Sequence, residues 1–188
     1  MSLAVIKVGG SLFDLPDLRE RLRGLFRALP ETHLLIVSGG GLMADAIRSY
    51  HRSQPLEETQ SHWLAIRTMT LNAHLLHALL PDAEVVDCHR PTNPRLGLLD
   101  AFAFLDRDAA RADALPHSWM VTSDSISLRV AHVLNASRLI LVKSTDRPAS
   151  ATWTEASTSG LVDAWFPQIV GHMTIDWIDL RRTVRADI

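Results

Sequence analysis

The sequence contains little cysteine and no long apolar run. Its single cysteine, Cys88, excludes an intrachain disulfide and a cysteine-based zinc cluster. No apolar run approaches the roughly 18 residues that a membrane-spanning helix needs. The first residues also lack the charged start and the cleavage site of a signal peptide. We therefore expect a cytoplasmic protein without a membrane partner.

An excess of charge of one sign is missing as well. The 19 basic and 21 acidic side chains leave a net charge of -2 at pH 7, and there is no basic tail. This balance gives no indication of a nucleic-acid partner. The apolar fraction of 47% and the length of 188 residues are typical of a globular domain with a full core. We expect one domain over residues 1–188.

Several common catalytic motifs are also absent from the sequence. Without Gly-x-x-x-x-Gly-Lys-Ser/Thr the chain is not a P-loop kinase, and without Gly-x-Gly-x-x-Gly it lacks the usual dinucleotide signal. It has no Gly-x-Ser-x-Gly elbow of a hydrolase. No histidine pair has the spacing of a zinc motif, so no protein-held metal is predicted.

What the sequence does contain is a repeated unit of strand, glycines and helix. An apolar strand over Leu3–Val8 leads into Gly9-Gly10-Ser11, and a second over His33–Ser38 leads into Gly39-Gly40-Gly41. Such continuous apolar runs indicate parallel strands that are buried on both faces. Glycines let backbone N–H groups approach an anion, and the carboxyl ends of parallel strands meet at one edge. The pattern predicts an α/β fold with an anion site at that edge; a pair of ordinary tight turns is the alternative.

Only two of the 19 basic residues are lysines, and both follow predicted strands. Lys7 precedes the first glycine loop, and Lys143 follows the strand predicted over residues 138–142. A compact ammonium group suits a moving phosphoryl group better than a guanidinium does. Phosphoryl transfer needs positioning, backbone N–H donors and cations around the migrating group. Phosphoryl transfer is therefore the chemistry that these residues favour, with a solvated Lys7 as the alternative.

The remaining segments are assigned by period and by breaking residues. A first helix is expected to start within residues 14–17 and to end at residue 29, and further helices are expected over residues 42–50, 61–80, 125–134 and 160–169. Further strands are expected over residues 83–87, 119–121 and 174–180, while 98–105 fits a strand or a short helix. Residues 51–60 and 88–97 are expected to be loops, 106–108 a solvated turn, and 149–159 a flexible loop or lid.

Three acidic or basic side chains allow two interpretations each. Asp45 and Arg48 begin the second helix, where they could contact an anionic substrate or form an exposed helical salt bridge. Asp124 could cap the helix that follows it, as could Ser123, or it could point a carboxylate into the cleft.

Four motifs together resemble one known family. Lys7-Val8-Gly9-Gly10-Ser11, Gly39-Gly40-Gly41, Thr122-Ser123-Asp124-Ser125 and Lys143-Ser144-Thr145-Asp146 are similar, in order and spacing, to the amino acid kinase family. The resemblance implies a three-layer αβα sandwich, the carbamate kinase-like fold, around a mainly parallel eight-stranded sheet. It also implies ATP over a C-terminal half, about residues 116–188, and the acceptor over an N-terminal half, about residues 1–115.

The resemblance also implies a role for each matching residue. The catalytic residues would be Lys7, Asp124 and Lys143. The nucleotide would be held by Gly9, Gly10, Ser11, Ser123, Lys143, Ser144, Thr145 and Asp146. The acceptor would be held by Gly39, Gly40, Gly41, Asp45, Arg48, His62, Met69, His117, Trp119 and Thr122. ATP and Mg²⁺ would be the cofactors, a small phosphorylated molecule the substrate, and a homo-oligomer the assembly.

Two further stretches narrow the resemblance. Residues 61–69 and 115–125 resemble the branch of the family that phosphorylates (aminomethyl)furanmethyl phosphate to its diphosphate in methanofuran-type one-carbon cofactor biosynthesis. A uridylate or isopentenyl phosphate kinase-like enzyme, and a non-catalytic member that binds a nucleotide or oxyanion, remain alternatives. The chain departs from the family pattern in having no lysine after Lys143 and in having Arg147-Pro148 where Asp-Gly is usual.

Overall fold

The computed structural model describes residues 2–87 and 95–182 and contains one parallel sheet. The strands are β1 (Leu3–Val8), β2 (His33–Ser38), β3 (Glu84–Val86), β4 (Leu96–Leu99), β5 (Arg138–Lys143) and β6 (Ile175–Asp179). Their order is β3-β4-β2-β1-β5-β6, and every neighbouring pair is parallel. The carboxyl ends of all six strands therefore point to one edge of the sheet.

Seven helices connect the strands within the described residues. They are α1 (Leu18–Ala28), α2 (Gly41–Ser53), α3 (Glu58–Leu79), α4 (Ala101–Asp108), α5 (Ser123–Val133), α6 (Trp153–Thr158) and α7 (Phe166–Ile169). A short 3-10 turn over Gly10–Leu12 follows β1. None of the described helices is both long enough and apolar enough to cross a membrane.

Two apolar cores lie on opposite faces of the sheet. In β1, Val5 belongs to the core that includes side chains of α4, α5 and α7, whereas Ile6 belongs to the core beneath α1. Both residues are fully buried. A strand covered on both faces needs apolar residues at consecutive positions, which explains the uninterrupted run. The predicted three-layer αβα sandwich with a mainly parallel sheet is confirmed.

The expectation of eight strands is wrong for the described residues, which form six. The segment 119–121 is a turn and not a strand, because the Val121 N–H donates to the Ser118 carbonyl at 3.1 Å. The segment 98–105 contains the end of β4 and the start of α4. The change occurs at Asp100, whose carboxylate accepts the Ala103 N–H at 3.0 Å.

Several loop predictions are wrong because helices begin or end at unexpected caps. Helix α2 continues to Ser53, and a reciprocal capping box between Glu57 and Gln60 begins α3 at Glu58. Both changes shorten the loop predicted over 51–60. The solvated turn predicted at 106–108 is the end of α4, where buried Asp108 pairs with Arg129 at 2.8 Å.

The lid predicted over residues 149–159 is mostly helix. Thr152 and Glu155 form a second capping box that begins α6, and the Trp153 ring packs on Phe166 with centroids 5.1 Å apart. The long helix predicted over 160–169 is reduced to the four residues of α7. The predicted edge strand over 174–180 is confirmed as β6. Of the loop predicted over 88–97, residues 88–94 lie outside the described residues, and the loop is wrong for Leu96 and Gly97, which pair with β2 as part of β4.

Candidate active site

The two glycine loops touch each other at the carboxyl edge of the sheet. A Cβ atom placed on Gly10 would lie 2.2 Å from the Gly41 nitrogen, and one on Gly39 would lie 2.6 Å from the Gly10 nitrogen. Gly41 also has a φ of +53°, a conformation that side chains disfavour. The glycines are therefore required by the close approach of the two backbones, and the shared edge predicted from the sequence is confirmed.

We expect Gly10→Ala to destabilise the protein by about 1–3 kcal/mol, because the new methyl group would displace a neighbouring backbone. Gly24→Ala is the matched control, since a Cβ at this exposed position in α1 meets nothing within 4 Å. This control should stabilise the helix by roughly 0.5–1 kcal/mol. Urea unfolding of both variants measures the difference. An unchanged midpoint for Gly10→Ala would contradict the contact between the loops.

A buried asparagine fixes the second glycine loop. Asn72 on α3 donates from its amide to the Gly39 carbonyl at 2.7 Å and to the Gly40 carbonyl at 3.0 Å. The Ser38 hydroxyl donates to the Met69 carbonyl of the same helix at 2.6 Å. Helix α3 therefore orients the loop N–H groups, and Asn72 is a functional candidate that the sequence did not reveal.

Both lysines contact one buried carboxylate beside the glycine loops. The Nζ atom of Lys7 lies 3.1 Å from Asp124 Oδ1, and that of Lys143 lies 2.8 Å from the same oxygen. Lys143 also donates to the Leu161 carbonyl at 2.6 Å. Lys7 and Asp124 are only 4% and 5% exposed. Three strand or helix ends thus bring together residues that lie far apart in sequence.

The electrostatics of this cluster follow from burial and from the short distances. Burial alone would raise the pKa of Asp124, but the ammonium groups of Lys7 and Lys143 outweigh burial and lower it. Burial, and then the charge of Lys7, lower the pKa of Lys143 to about 8. At neutral pH the cluster consists of two ammonium groups and one carboxylate, which leaves a net positive charge for an anionic ligand.

Asp124 does not cap α5, so that interpretation is wrong, as is the one for Ser123. The N-cap is Thr122, and Asp124 lies in the first turn with its carboxylate buried. Both residues belong to the helix itself, which leaves the carboxylate free to contact the two lysines. The cleft-facing orientation of Asp124 is the one that the structure has.

Asp163 organises the segment that carries Asp124. Its carboxylate accepts the Thr122 N–H and hydroxyl at 2.9 Å each, the Ser125 N–H at 3.0 Å, and the Ser125 hydroxyl. It also accepts the N–H groups of Trp165 and Phe166 at 3.1 and 3.0 Å. From the sequence alone, Asp163 is expected to belong to a helix start. No local signal distinguishes such an acid from an ordinary cap.

A cavity of about 200 Å³ opens between the loops and the lysine cluster. Most of the predicted site residues line it. They are Lys7, Gly10, Ser11, Gly39, Gly40, Gly41, Asp45, Arg48, His62, Met69, Trp119, Thr122, Ser123 and Asp124. The lining of this cavity does not include Gly9, His117, Lys143, Ser144, Thr145 or Asp146. His117 lies behind His62, with ring centroids 5.8 Å apart, and lines a smaller cavity.

The far end of the cavity combines one ion pair with aromatic side chains. Arg48 pairs with Asp45 at 2.7 Å, and its guanidinium lies 5.1 Å from the centroid of Trp119. The salt bridge expected of Asp45 and Arg48 is present and lies at the cavity, and their contact with an anionic substrate stays a prediction. Burial and the neighbouring His117 lower the pKa of His62 to about 4, so that its imidazole is neutral at physiological pH.

The loop after β5 lies against the first glycine loop. The Ser11 and Ser144 hydroxyl groups are 2.8 Å apart and join the two loops. The Trp177 indole donates to the Thr145 carbonyl at 2.9 Å, and the Asp146 carboxylate accepts the Arg147 N–H at 2.8 Å. Gly9 is bound to β5 through its N–H, which donates to the Val142 carbonyl at 2.8 Å. The contact between Ser11 and Ser144 thus joins the two loops that carry most of the predicted nucleotide residues.

Comparison with known proteins is consistent with this geometry. Residues 2–93 match the model of the amino acid kinase family. The chain is 27% identical over 149 residues to the [5-(aminomethyl)furan-3-yl]methyl phosphate kinase of Methanocaldococcus jannaschii. That match covers 76% of this chain and 66% of the relative, so the chain spans just under two thirds of the relative's length.

Solved structures of uridylate kinases have the same fold. The uridylate kinase of Archaeoglobus fulgidus superposes with a TM-score of 0.64 at 18% identity, covering 95% of this chain and 90% of that one. The UMP kinase of Bacillus anthracis superposes with a TM-score of 0.65 at 11% identity, covering 97% and 88%. At these identities the likeness concerns the fold.

Proposed function

We propose that this chain is a kinase of the amino acid kinase family, which its amino-terminal half matches, and that it transfers a phosphoryl group from ATP to a small phosphorylated acceptor. The observation that carries the proposal is the cluster of Lys7, Asp124 and Lys143 beside two touching glycine loops. Migrating phosphoryl groups need cations and backbone N–H donors on both sides. A tight turn with a solvated lysine would need neither the shared carboxylate nor the burial.

The proposed reaction is an in-line displacement. A phosphate oxygen of the acceptor forms a bond to the γ-phosphorus of ATP, while the bond from that phosphorus to the oxygen bridging to the β-phosphate breaks. Lys7 and Lys143 stabilise the negative charge on the migrating group, and Asp124 holds their ammonium groups in place. No strong base is needed, because the acceptor oxygen is already ionised at neutral pH.

The two loops divide the binding of the reactants. Gly9, Gly10 and Ser11, with Ser123 and the loop from Ser144 to Asp146, bind the nucleotide. Gly39, Gly40, Gly41 and Thr122 bind the acceptor phosphate and the migrating group. The N–H groups of Gly40 and Gly41 become donors to phosphate oxygens at the start of α2, whereas those of Gly39 and Thr122 already donate to the Val8 carbonyl and to Asp163.

The described residues do not form a protein site for Mg²⁺. No group of three or more metal-ligating side chains occurs among them, and Asp124 is already bound to two ammonium groups. Phosphate oxygens and water are the ligands that Mg²⁺ commonly keeps in such enzymes. The metal therefore belongs to the nucleotide substrate in this proposal.

The acceptor that we propose is an (aminomethyl)furanmethyl phosphate, which would be converted to its diphosphate. The name of the M. jannaschii relative supports this choice, and so does the cavity. Its volume of about 200 Å³ has room for a small ring phosphate. Neutral His62, Met69 and Trp119 would pack on the ring, and Asp45 offers a carboxylate for an ammonium group.

An acceptor panel tests this function. Purified protein and ATP are mixed with the furan phosphate, with uridylate or with isopentenyl phosphate, and ADP release and the phosphorylated product are measured. We expect kcat/KM for the furan phosphate to be at least about 100-fold above the others. Preference for uridylate or the prenyl phosphate would replace the acceptor but keep the kinase. Tight ATP binding without turnover on any acceptor would favour a non-catalytic binding protein.

The surface of α2 and α3 supports the homo-oligomer predicted above. Large apolar side chains are exposed on both helices. They are Leu42, Met43, Tyr50, Leu64, Leu71 and Leu75. Leu42, Met43 and Leu75 line a cavity that also contains Gly10 and Ser11, which leaves Tyr50, Leu64 and Leu71 for a protein contact. We propose that a second copy of the chain covers these three side chains.

A further inference from the structure

The residue that follows the last strand emerges at the candidate nucleotide site. Leu180 is fully buried, and its N–H donates to the Lys143 carbonyl at 2.9 Å. Because β6 is parallel to β5, this contact places the next residue, Arg181, at the carboxyl edge of the sheet. Its position is therefore set by strand pairing and core burial.

The Arg181 guanidinium lies directly over the first glycine loop. Its Nη2 atom donates to the Ser11 carbonyl at 2.8 Å and to Asp14 Oδ1 at 2.6 Å. Arg181 also lines a cavity of about 510 Å³ together with Gly10, Ser11 and Gly41. A guanidinium has five N–H donors, and among the described residues no partner is found for those on Nε and Nη1. Three donors therefore remain for a ligand.

The charge balance of the site leaves a role for such a group. Lys7 and Lys143 share Asp124, so the cluster offers a single net positive charge to a triphosphate that carries several negative ones. Arg48 pairs with Asp45 at the acceptor end of the cavity. Arg181 lies on the side of Ser11, where the nucleotide is proposed to bind, and like Arg48 it pairs with one exposed aspartate, so its contribution is the unpaired edge of its guanidinium.

We propose that Arg181 binds the phosphates of ATP through the free edge of its guanidinium. This role rests on the kinase function proposed above. The planar fork of arginine matches phosphate oxygens in a bidentate manner, whereas its partner Asp14 is 62% exposed and binds through one nitrogen. Arg181 then positions the β- and γ-phosphates over Gly10 and Ser11, and the two lysines act on the group that moves.

The test compares Arg181→Gln with wild type in steady-state kinetics. We expect KM for ATP to rise about 10- to 100-fold, as for the loss of one charge-assisted phosphate contact. Both kcat and KM for the acceptor should change by less than about threefold. Equilibrium binding of adenosine, which has no phosphate, should stay unchanged. Arg181→Lys should restore part of the ATP affinity.

Arg23→Gln is the matched control for the loss of a surface arginine. Its side chain is 31% exposed, against 37% for Arg181, and it also pairs with one exposed aspartate, Asp82, at 2.8 Å. It lies on α1 near the amino ends of β2 and β4, away from the candidate site. KM for ATP should not change in this variant.

Asp14→Asn separates phosphate binding from a structural role. If Arg181 merely fixes the loop, removing the Asp14 charge should raise KM for ATP as much as Arg181→Gln does, and that result would overturn the proposal. If Arg181 binds phosphate, Asp14→Asn leaves KM unchanged or lowers it. Wild-type protein that binds no ATP would instead refute the kinase function. Wild-type turnover together with an unaffected Arg181→Gln variant would refute this inference alone.

Discussion

Replacing Lys7 with methionine is expected to lower kcat by more than about 100-fold, because the migrating phosphoryl group loses a preorganised positive charge. Methionine has a similar length and no charge, so it fills the space between β1 and the glycine loops. Asp124 retains Lys143 as a partner at 2.8 Å, which avoids an unpaired buried carboxylate. The dissociation constant for ATP should change by a smaller factor than kcat, because Lys7 acts on the phosphoryl group while it is transferred.

The pH profile provides a second readout of the same variant. The pKa of Lys143 is lowered to about 8, so wild-type activity should fall as the pH rises through that value and the ammonium loses its proton. After burial, the charge of Lys7 is the next largest cause of this shift. Lys7→Met removes that charge, raises the pKa of Lys143, and should move the alkaline limb of the residual activity to higher pH.

Thermal unfolding accompanies both measurements and shows that the variant is folded. Near-normal turnover in folded Lys7→Met would contradict the assigned role of the lysine. An alkaline limb that stays in place, with turnover lost, would show that Lys7 and Lys143 are not coupled as their shared contact with Asp124 implies.

The strands and glycine loops could be predicted because their signals are local. The apolar runs of β1 and β2 indicate strands that are buried on both faces. The glycines directly after each strand indicate a close contact between backbones at the strand ends. The resulting parallel sheet then dictates that Lys7 and Lys143 approach the same edge. These steps need no knowledge of side-chain contacts, which is why a parallel sheet with both loops at one edge follows from the pattern. The three layers were implied by the family resemblance, and the pairing of β1 with both β2 and β5 comes from the structure.

Helix boundaries and turns were harder, because short side-chain contacts decide them. The capping box of Thr152 and Glu155 makes a helix in a stretch whose Ser and Thr content indicates a loop. The apolar residues Trp119–Val121 have strand propensity, yet a backbone hydrogen bond closes them into a turn. In both cases a local hydrogen bond overrides a compositional tendency.

The supporting residues of the site could not be predicted because they act across long separations. Asp163 contacts Ser125 across 38 positions, Asn72 contacts Gly39 across 33, and Arg181 contacts Ser11 across 170. Each is an ordinary polar residue in its own stretch. Their roles appear only once the sheet order is known.

The substitution Asp163→Ala is expected to have the second large effect, and its first consequence should be a lower free energy of unfolding. The four donors of Thr122 and Ser125 lose the carboxylate as their acceptor, while the N–H groups of Trp165 and Phe166 keep only backbone acceptors at 3.3 Å. Leaving partly buried donors of a network unpaired costs about 3 kcal/mol or more.

Asp100→Ala is a control in which fewer hydrogen bonds are lost. The wild-type Asp100 carboxylate accepts the Ala103 N–H at 3.0 Å and the Thr70 hydroxyl at 2.7 Å. This substitution should cost about 1–2 kcal/mol, the range for one helix cap.

The milder variant Asp163→Asn shows whether Asp163 positions the lysine cluster or only stabilises the fold. Its activity is measured well below its unfolding temperature. The start of α5 carries Asp124, and the Asp163 loop supplies the Leu161 carbonyl to Lys143. Loosening this segment moves the carboxylate away from Lys143, lowers the pKa of that lysine further, and shifts the alkaline limb of kcat below pH 8. The Asp100→Ala profile should keep the wild-type limb. If both variants lose stability but keep the wild-type pH profile, Asp163 supports the fold without positioning the lysine cluster.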